Sequence, residues 1–424
     1  MNVKLIKEEI PVTEADMQKV QDTVSATLKR VRDGGDKYLQ DYYGKKFGTS
    51  EPISFLISRD EAAKTKEQLS PELIEGLEFA IERVTDFAHA QKDSITEFEK
   101  EMLPGIHMGQ RVIPVESCGC YLPAGNYPCA TSGVMCVAPA KVAGVKRIVC
   151  CSPASPDKGI DPAILYTLYK MGVEEIYSFG GAHAIAVLAY GTESIPPVDL
   201  IVGPGNQWVT EAKRQVYGRV GIDFLAGPSE CLVIADETAR ADYIAADLLA
   251  QCEHDLMARG ALVTTSETLA NQLLDEVERQ LADLKTEEVA RHSWEHKGIV
   301  AVVPTIEDAC AWANDYATEH LEVHTKDPKA LLPLLTSYGS LFLGESTAEV
   351  FADKVAGTNH VLPTLRAAKY TGGLWVGNYM KVITHQWVDE QGVQLLAPYS
   401  VRQAEHEKMD AHRRAALIRL TNKL

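Results

Sequence analysis

The sequence predicts an α/β protein in which two doubly wound units follow a helical N-terminal segment. A chain of 424 residues exceeds what one hydrophobic core usually holds, so two or more domains are expected. Residues 14–100 carry helical periodicity, and from Val115 onward short β-rich runs alternate with helical ones. Glycine turns separate several strands from the helices that follow them, which is typical of a parallel sheet covered by helices.

The predicted elements after Val115 form two series. The first series is strand 147–151, strand 175–179, helix 182–190, strand 199–202 and helix 207–217. The second series is strand 231–234, helix 242–254, strand 261–265, helix 267–284, strand 298–303, helix 306–318 and strands 321–324 and 340–343. The chain from Val401 is a charged, mostly helical tail that contains His412.

The composition argues against several classes of protein. A formal charge of −17 disfavours a nucleic-acid binder and a basic membrane-surface protein. No run approaches the roughly 18 apolar residues of a spanning helix. Residues 1–13 lack the apolar core of a signal peptide, so we expect a cytoplasmic protein. The nine cysteines form no C-x-x-C pair, so we expect buried, reduced thiols.

Two pairs of polar residues predict metal-assisted acid–base chemistry. Gln251 and His254 are three positions apart at the end of the helix predicted over 242–254, a spacing that places two ligands of one cation on one helix face. A histidine making an ordinary hydrogen bond at a helix end is the alternative. Glu319 and His320 set a carboxylate beside an imidazole, the side chains best suited to proton transfer near neutral pH.

Two glycine turns indicate a nucleotide site. Gly180-Gly181 and Gly203-Pro-Gly205-Asn206 each lie between a strand and a helix, where backbone N–H groups can approach a phosphate. Trp208 occupies the third glycine position of the second turn, so the G-x-G-x-x-G pattern is incomplete. Ordinary tight turns remain the alternative.

Three further positions lie in predicted loops or in the tail. Ser229, in the turn 227–230, either caps or contacts a ligand. Asp353 lies in a polar loop with His360 seven residues on, a clustering that indicates more than a solvated carboxylate. His412, by itself, is typical of a surface residue.

Several stretches occur together in one order across about 110–420. They are Val202-Gly-Pro-Gly-Asn206, Gly221-Ile-Asp-Phe-Leu-Ala-Gly-Pro-Ser-Glu230, Gln251-Cys-Glu-His-Asp255, Glu319-His-Leu-Glu322 and Gly357-Thr-Asn-His-Val-Leu-Pro-Thr364. Taken together, these stretches resemble the histidinol dehydrogenase family. The resemblance implies a homodimer of two incomplete Rossmann-like doubly wound domains with a C-terminal tail exchanged between subunits. It also implies NAD⁺, one Zn²⁺ per subunit, and oxidation of a primary alcohol through an aldehyde to a carboxylate.

The resemblance also implies domain bounds and residue roles. The bounds are a 1–18 arm, a discontinuous first domain of 19–120 plus 229–373, a second, NAD-binding-like domain of 121–228, and a 374–424 tail. Matched positions are catalytic Glu319 and His320; metal ligands Gln251, His254, Asp353 and, given to the partner's site, His412; substrate contacts Ser229, His360 and Glu407; and cofactor contacts Tyr121, Pro123, His183 and Asn206. His183 stands where the family often has glutamine.

Within the family that this chain resembles, two branches differ in their substrate. Residues 368–377, the loop 123–128 and Asp353-Lys-Val355 look like the sulfopropanediol 3-dehydrogenase branch, which oxidises (R)-2,3-dihydroxypropane-1-sulfonate to (R)-3-sulfolactate. L-histidinol is the alternative substrate. A catalytically silent nucleotide- or metal-binding homologue is an alternative of another class, which the retained catalytic and ligand residues disfavour.

Overall fold

Alternating strands and helices build two six-stranded sheets in the larger of the two units into which the chain divides. The computed structural model describes residues 3–9, 14–124 and 127–421. The first unit holds the chain up to residue 90 together with 115–379, and the second holds 91–114 and the chain from residue 380. Part of the predicted 1–18 arm, at 1, 2 and 10–13, lies outside the described residues.

The described strands and helices are as follows. The strands are β1 (Lys4–Lys7), β2 (Leu56–Ile57), β3 (Phe98–Leu103), β4 (Ile106–Pro114), β5 (Ser117–Tyr121), β6 (Arg147–Cys151), β7 (Glu175–Tyr177), β8 (Leu200–Val202), β9 (Gly221–Ile222), β10 (Glu230–Ala235), β11 (Arg259–Thr264), β12 (Ile299–Val302), β13 (His320–His324), β14 (Ser340–Leu343) and β15 (Met380–Val388). The α-helices are α1 (Glu14–Phe47, interrupted at Gly35), α2 (Arg59–Lys64), α3 (Pro71–Asp93), α4 (Ala130–Ala143), α5 (Pro162–Lys170), α6 (Gly181–Tyr190), α7 (Gln207–Val216), α8 (Ala241–Cys252), α9 (Glu267–Leu281), α10 (Glu287–Lys297), α11 (Ile306–Tyr316), α12 (Glu349–Lys354), α13 (Glu390–His406) and α14 (Asp410–Thr421).

The two large sheets of the first unit share one strand order. The first sheet runs β2-β7-β6-β5-β8-β9 and the second runs β1-β12-β11-β10-β13-β14. In each sheet one edge strand, β2 or β1, pairs antiparallel with its neighbour, and the other strands are parallel. The chain order reverses once in each, between β5 and β8 and between β10 and β13. The predicted α/β fold with parallel, doubly wound sheets is confirmed; the domain bounds and the exchanged tail stay predictions.

Apolar helix faces cover these sheets because parallel strands are buried on both sides. On the first sheet, α1, α6 and α7 contribute Leu28, Ile185 and Val209 to one core cluster. The second sheet has a cluster on each face, one with α8, α9 and α10 and one with α11. The helix α4 is buried almost all round, as its uniformly apolar sequence requires.

The second unit is an antiparallel sheet with two helices. Its strand order is β15-β4-β3, and α13 and α14 pack against each other. The prediction of helix through 14–100 is therefore wrong at its end, because β3 begins at Phe98 and pairs with β4 across a turn at Gly105. It is also wrong at 56–57, where β2 joins the edge of the first sheet.

The sequence predicted buried, reduced cysteines and no membrane-spanning helix. Within the residues that the structure describes, no helix is both long enough and apolar enough to cross a membrane. All the cysteines are free thiols, and all are buried except Cys129, which is half-buried. The expectation of buried thiols is thus confirmed for every cysteine but one.

A buried ion pair supports the first sheet beneath the turn that follows β8. The Lys213 ammonium contacts the Asp223 carboxylate, and both side chains are almost fully inaccessible. The same pair holds the turn, since Gly203 N donates to Asp223 Oδ2 at 2.8 Å and Lys213 Nζ donates to Gly203 O at 3.1 Å. Removing one partner would leave the other charge buried and uncompensated.

We expect Asp223→Ala to lower the free energy of unfolding by about 3–5 kcal/mol, because the Lys213 ammonium would lose its counter-charge in the interior. Urea unfolding followed by circular dichroism measures this. Asp33→Ala is the control, since it removes an exposed ion pair with Lys29 and should leave the unfolding midpoint unchanged. Similar midpoints for all three proteins would contradict the assignment.

Candidate active site

One cavity of about 860 Å³ in the first unit gathers the predicted site residues of that unit. Its lining includes Tyr121, Pro123, His183, Asn206, Ser229, Gln251, His254, Glu319, His320, Asp353 and His360. The remaining predicted positions, Glu407 and His412, belong to the second unit, where both are exposed. The cavity therefore joins the predicted catalytic, metal and nucleotide positions of one unit.

The predicted helix over 242–254 is too long, which corrects the argument for Gln251 and His254. The helix α8 ends at Cys252, with Glu253 as its C-cap, so His254 follows the helix instead of sharing its face. The last turn tightens because Glu253 N donates to Leu249 O and His254 N donates to Gln251 O. Both side chains nevertheless line the cavity, one from the helix and one from the turn after it.

The His320 imidazole is positioned by Gln251. His320 Nδ1 lies 2.8 Å from Gln251 Oε1, and both residues are buried. An amide oxygen only accepts hydrogen bonds, so Nδ1 carries the proton and Nε2 keeps its lone pair. Burial lowers the pKa of His320 to about 4, against the opposing effect of Asp353. His320 is therefore neutral near pH 7 and can accept a proton at Nε2.

The Glu319 carboxyl lies near the same ring nitrogen of His320 that contacts Gln251. Its Oε2 accepts from Glu230 N at 2.9 Å and lies 3.9 Å from His320 Nδ1. Burial raises the pKa of Glu319 well above its usual value, although the hydrogen bond from Glu230 N opposes this. A cation in the cavity would favour the ionised form.

Asp353 and His360 form a second polar pair on the cavity wall. His360 Nδ1 lies 3.0 Å from Asp353 Oδ1 and 2.8 Å from the Asp353 carbonyl oxygen. The other ring nitrogen, Nε2, lies 3.2 Å from Ser132 Oγ. Burial alone would raise the pKa of Asp353, but His360 and the contacting Lys354 ammonium hold it well below its usual value. Asp353 is thus an anionic oxygen donor.

Glu349, a buried carboxyl close to His320, was not among the site residues predicted from the sequence. Glu349 Oε1 lies 3.6 Å from His320 Nε2 and has no hydrogen-bond partner among the described residues. Burial, with repulsion from Asp353, raises the pKa of Glu349 to about 7. Glu349 and Asp353 are four positions apart on α12, so that spacing was the available signal.

The turn after β8 is built so that its backbone approaches β5. Gly203 has a φ of 116°, and a Cβ at this position would lie 2.2 Å from Tyr121 O. Only glycine fits there, which leaves room at the carboxyl ends of β5 and β8. This is where the strand order of the first sheet reverses, the position at which open α/β sheets bind nucleotides.

The neighbouring turn after β7 carries His183 into a group of tyrosines. The His183 ring stacks on Tyr42 with ring centroids 4.0 Å apart, and its Nε2 lies 3.3 Å from Tyr38 Oη. Burial lowers the pKa of His183 to about 4. At the same turn Gly181 N donates to Tyr121 Oη at 3.2 Å. An aromatic wall with the Lys46 ammonium beside it therefore borders this end of the cavity.

Asn206 has a structural role besides any ligand contact. Its Oδ1 accepts from Trp208 N and Val209 N, which caps the start of α7. Ser229 lies directly before β10, and its carbonyl oxygen accepts from Arg259 N. Both side chains border the cavity from loops.

The donor set of the cavity fits a divalent metal. Gln251, His254 and Asp353 offer an amide oxygen, an imidazole nitrogen and a carboxylate oxygen, which suit Zn²⁺ and similar ions. Glu319 and Glu349 add buried carboxyls with raised pKa values nearby. The Gln251 carbonyl has two lone pairs, so it can accept from His320 and still bind a cation.

Comparison with known proteins identifies the family. A family model described as histidinol dehydrogenase matches residues 11–420. The chain belongs to the histidinol dehydrogenase family. It is an NAD-dependent oxidoreductase of that family, whose members use a metal and oxidise an alcohol to an acid.

Relatives with two different names lie at similar distances within the histidinol dehydrogenase family. A histidinol dehydrogenase of Bacillus cereus is 43% identical over 419 residues, covering 98% of this chain and 96% of that protein. A sulfopropanediol 3-dehydrogenase of Ruegeria pomeroyi is 40% identical over 422 residues, covering 99% and 97%. The crystal structure of histidinol dehydrogenase from Elizabethkingia anophelis has a TM-score of 0.91 and 35% identity, covering 99% of this chain and 95% of that one.

We expect Gly203→Ala to weaken NAD⁺ binding by about tenfold or more, because the added methyl group would displace the turn from Tyr121 O. Isothermal titration calorimetry with NAD⁺ measures the affinity. Gly218→Ala is the control, since Gly218 has a φ of 96° with no atom within 4 Å of its added Cβ. Both variants carry backbone strain, so a loss of affinity confined to Gly203→Ala isolates the clash. Equal affinities in all three proteins would contradict the turn's role.

Proposed function

We propose that this protein oxidises a primary alcohol through an aldehyde to a carboxylate, with reduction of two NAD⁺. The observation that carries the proposal is the single cavity that joins Glu319 and His320 to Gln251, His254 and Asp353 and extends to the two glycine turns. An acid–base pair, a set of metal ligands and a nucleotide-binding turn are the parts this reaction needs. Each NAD⁺, when bound, accepts one hydride.

His320 is the base for the alcohol in this proposal. Its Nδ1 proton is engaged by Gln251 Oε1, so Nε2 takes the proton of the substrate hydroxyl. The low pKa keeps the imidazole neutral before that step, and burial keeps water from competing for Nε2. Gln251 therefore sets the tautomer and the direction of the base.

Glu319 serves the second oxidation. After the alcohol becomes an aldehyde, a carboxylate must take a proton from water as that water adds to the carbonyl carbon. Glu319 lies beside His320 and accepts from Glu230 N, which holds its carboxyl group in place. Once His320 has released its first proton to solvent, the hydrated aldehyde presents a hydroxyl to the neutral imidazole for the second oxidation.

The metal in this proposal is Zn²⁺, one per subunit, held by Gln251, His254 and Asp353. When bound, it orients the substrate and offsets negative charge as a Lewis acid. His412 of the partner subunit completes the ligand set in a homodimer, and Glu407 reaches the substrate in the same way. The exposure of both residues in the second unit supports a role outside their own fold.

The cofactor lies along the turns in this proposal. Tyr121, Pro123 and Asn206 border the Gly203 turn, and His183 borders the Gly180-Gly181 turn. The Tyr42–His183 stack supplies a flat aromatic surface of the kind on which a nucleobase packs. These contacts use stacking and backbone groups, so the glutamine-to-histidine difference at position 183 is compatible with NAD⁺.

The substrate we favour is (R)-2,3-dihydroxypropane-1-sulfonate, oxidised to (R)-3-sulfolactate. Ser229 and His360 line the cavity as its proposed contacts, and Lys354 adds a cation to the same wall. A cation there suits a sulfonate better than the ammonium group of histidinol. The named relative in Ruegeria pomeroyi supports this choice.

L-histidinol, oxidised to L-histidine, is the second candidate. The relative in Bacillus cereus named histidinol dehydrogenase is as similar to this chain as the sulfonate relative is. Residues 368–377, which favoured the sulfonate in the sequence, do not line the cavity in the described part of the chain. These residues instead contact the segment that carries His360, since Leu374 N donates to Val361 O.

We expect His320→Ala to slow alcohol oxidation by about 10²–10⁴-fold, because the base at Nε2 is lost, with metal content unchanged. Glu319→Gln should instead release about one NADH per alcohol and stop at the aldehyde, since water is no longer activated. Single-turnover NADH absorbance with trapping of the aldehyde separates the two steps. Two NADH from the Glu319→Gln protein at the native rate would contradict its role.

We expect zinc-loaded protein to form NADH with (R)-2,3-dihydroxypropane-1-sulfonate and not with L-histidinol, because Lys354 favours an anionic substrate. NADH absorbance with each alcohol measures this, and Lys354→Met should raise KM for the sulfonate. Turnover of histidinol alone would make histidine formation the activity. Turnover of neither, with NAD⁺ and Zn²⁺ bound, would favour the catalytically silent homologue.

A further inference from the structure

A second group of ligand-type side chains lies between α8 and β13. Asp247 comes from the helix, and Glu322 and His324 come from the strand. One ligand atom from each lies within 4.8 Å of those of the other two. None of the three lines the cavity described above, so this carboxylate–histidine cluster is separate from the candidate active site.

The cluster follows from two periodicities. Residues 320, 322 and 324 share one face of β13 because side chains alternate along a strand. Asp247 and Gln251 are one helical turn apart on α8, so they lie on the same face of the helix. Gln251 meets His320, and one turn earlier Asp247 meets Glu322 and His324.

The polar atoms of this cluster are buried without adequate partners. The side chains of Glu322 and His324 are fully inaccessible. Glu322 Oε1 accepts from Glu349 N at 2.9 Å, but Glu322 Oε2 and both His324 ring nitrogens have no hydrogen-bond partner among the described residues. The contact of 3.2 Å between His324 Nε2 and Glu322 Oε2 is too poorly aligned to count as one.

Burying these unpaired atoms destabilises the fold unless a bound ligand satisfies them. A buried polar atom left unpaired loses its hydration without a compensating hydrogen bond. Two carboxyl groups also repel each other, and burial together with Glu322 raises the pKa of Asp247. A cation bonded to both carboxylates and to one imidazole nitrogen would offset the repulsion between the carboxyl groups and satisfy all of these atoms except the second ring nitrogen of His324.

We propose that Asp247, Glu322 and His324 bind a second divalent metal ion, of the first-row transition class. One imidazole nitrogen with two carboxylate oxygens suits Mn²⁺, Co²⁺ or Zn²⁺, whereas Mg²⁺ and Ca²⁺ prefer oxygen ligands alone. The Asp247 side chain is 14% exposed, so solvent reaches this side of the cluster and could supply water ligands.

The ion has a structural role in this proposal. It joins α8 to β13 one helical turn from the contact between Gln251 and His320, and so fixes the spacing of the two elements. The site does not depend on the proposed function, since none of its residues acts in that reaction.

The test is metal stoichiometry of the full chain. Protein stripped with a chelator is dialysed against MnCl₂, and bound manganese is measured by mass spectrometry. We expect about two equivalents per chain for the native sequence and about one for Asp247→Asn, Glu322→Gln and His324→Gln. Asp353→Asn is the matched variant, because it removes a carboxylate of the other site and should also leave about one equivalent.

Spectra assign the remaining ion. Co²⁺ bound to Asp353→Asn should show d–d absorption that disappears when His324→Gln is added, while circular dichroism confirms that each variant is folded. One equivalent in the native protein that Asp247→Asn leaves intact would overturn the proposal. Two equivalents retained by folded Asp247→Asn, Glu322→Gln and His324→Gln would overturn it as well. One equivalent in the native protein that Asp247→Asn removes and Asp353→Asn leaves intact would count against the proposed zinc site and support this one.

Discussion

The hydrogen bond between His320 and Gln251 is the interaction on which the site depends. It joins the first residue of β13 to the last turn of α8 across a buried interface. Because the amide oxygen only accepts, one contact settles the tautomer of the imidazole and the direction of its lone pair. The same amide oxygen keeps a lone pair for a cation. The proposed proton transfer and the proposed metal binding are therefore linked through a single side chain.

The two six-stranded sheets share a strand order but present opposite ends to the cavity. In the first sheet, the glycine turns follow the carboxyl ends of β7 and β8, where open parallel sheets bind their ligands. In the second sheet, Ser229, Glu319 and His320 precede or begin β10 and β13, at the amino ends of those strands. The edge proposed to bind NAD⁺ and the edge that carries the proposed catalytic pair thus border one cavity from opposite strand ends.

The buried parallel strands were easier to predict from the sequence than the polar helix α10 and the exposed antiparallel strands. Sequence reasoning placed β6 at its observed bounds and found β13 to within one residue, because buried parallel strands are continuous apolar runs with sharp ends. It missed α10, in which two of the four buried positions are the polar residues Ser293 and Lys297. It also missed the antiparallel sheet of the second unit, whose strands β3 and β15 are largely exposed. Exposed strands lack the alternation that burial imposes.

The site residues were also only partly predictable from the sequence. Gln251 and His254 were paired by an argument about one helix face, and the structure brings them together through a helix and the turn after it. Glu349 and the Asp247 cluster were invisible for a different reason. Local spacings relate Glu349 to Asp353 and Asp247 to Gln251, but the burial that singles these groups out comes from the strand and helices packed around them. Burial of charge is a property of the fold.

The distribution of thiols gives the protein a built-in reporter. Every cysteine is buried except Cys129, and Cys129 lies on the cavity wall beside the residues proposed to bind metal and substrate. Burial raises the pKa of this thiol, so it reacts slowly and without competition from the others. An alkylating dye therefore labels the native chain at one position, and the labelling rate reads out occupancy of the cavity without any engineered residue.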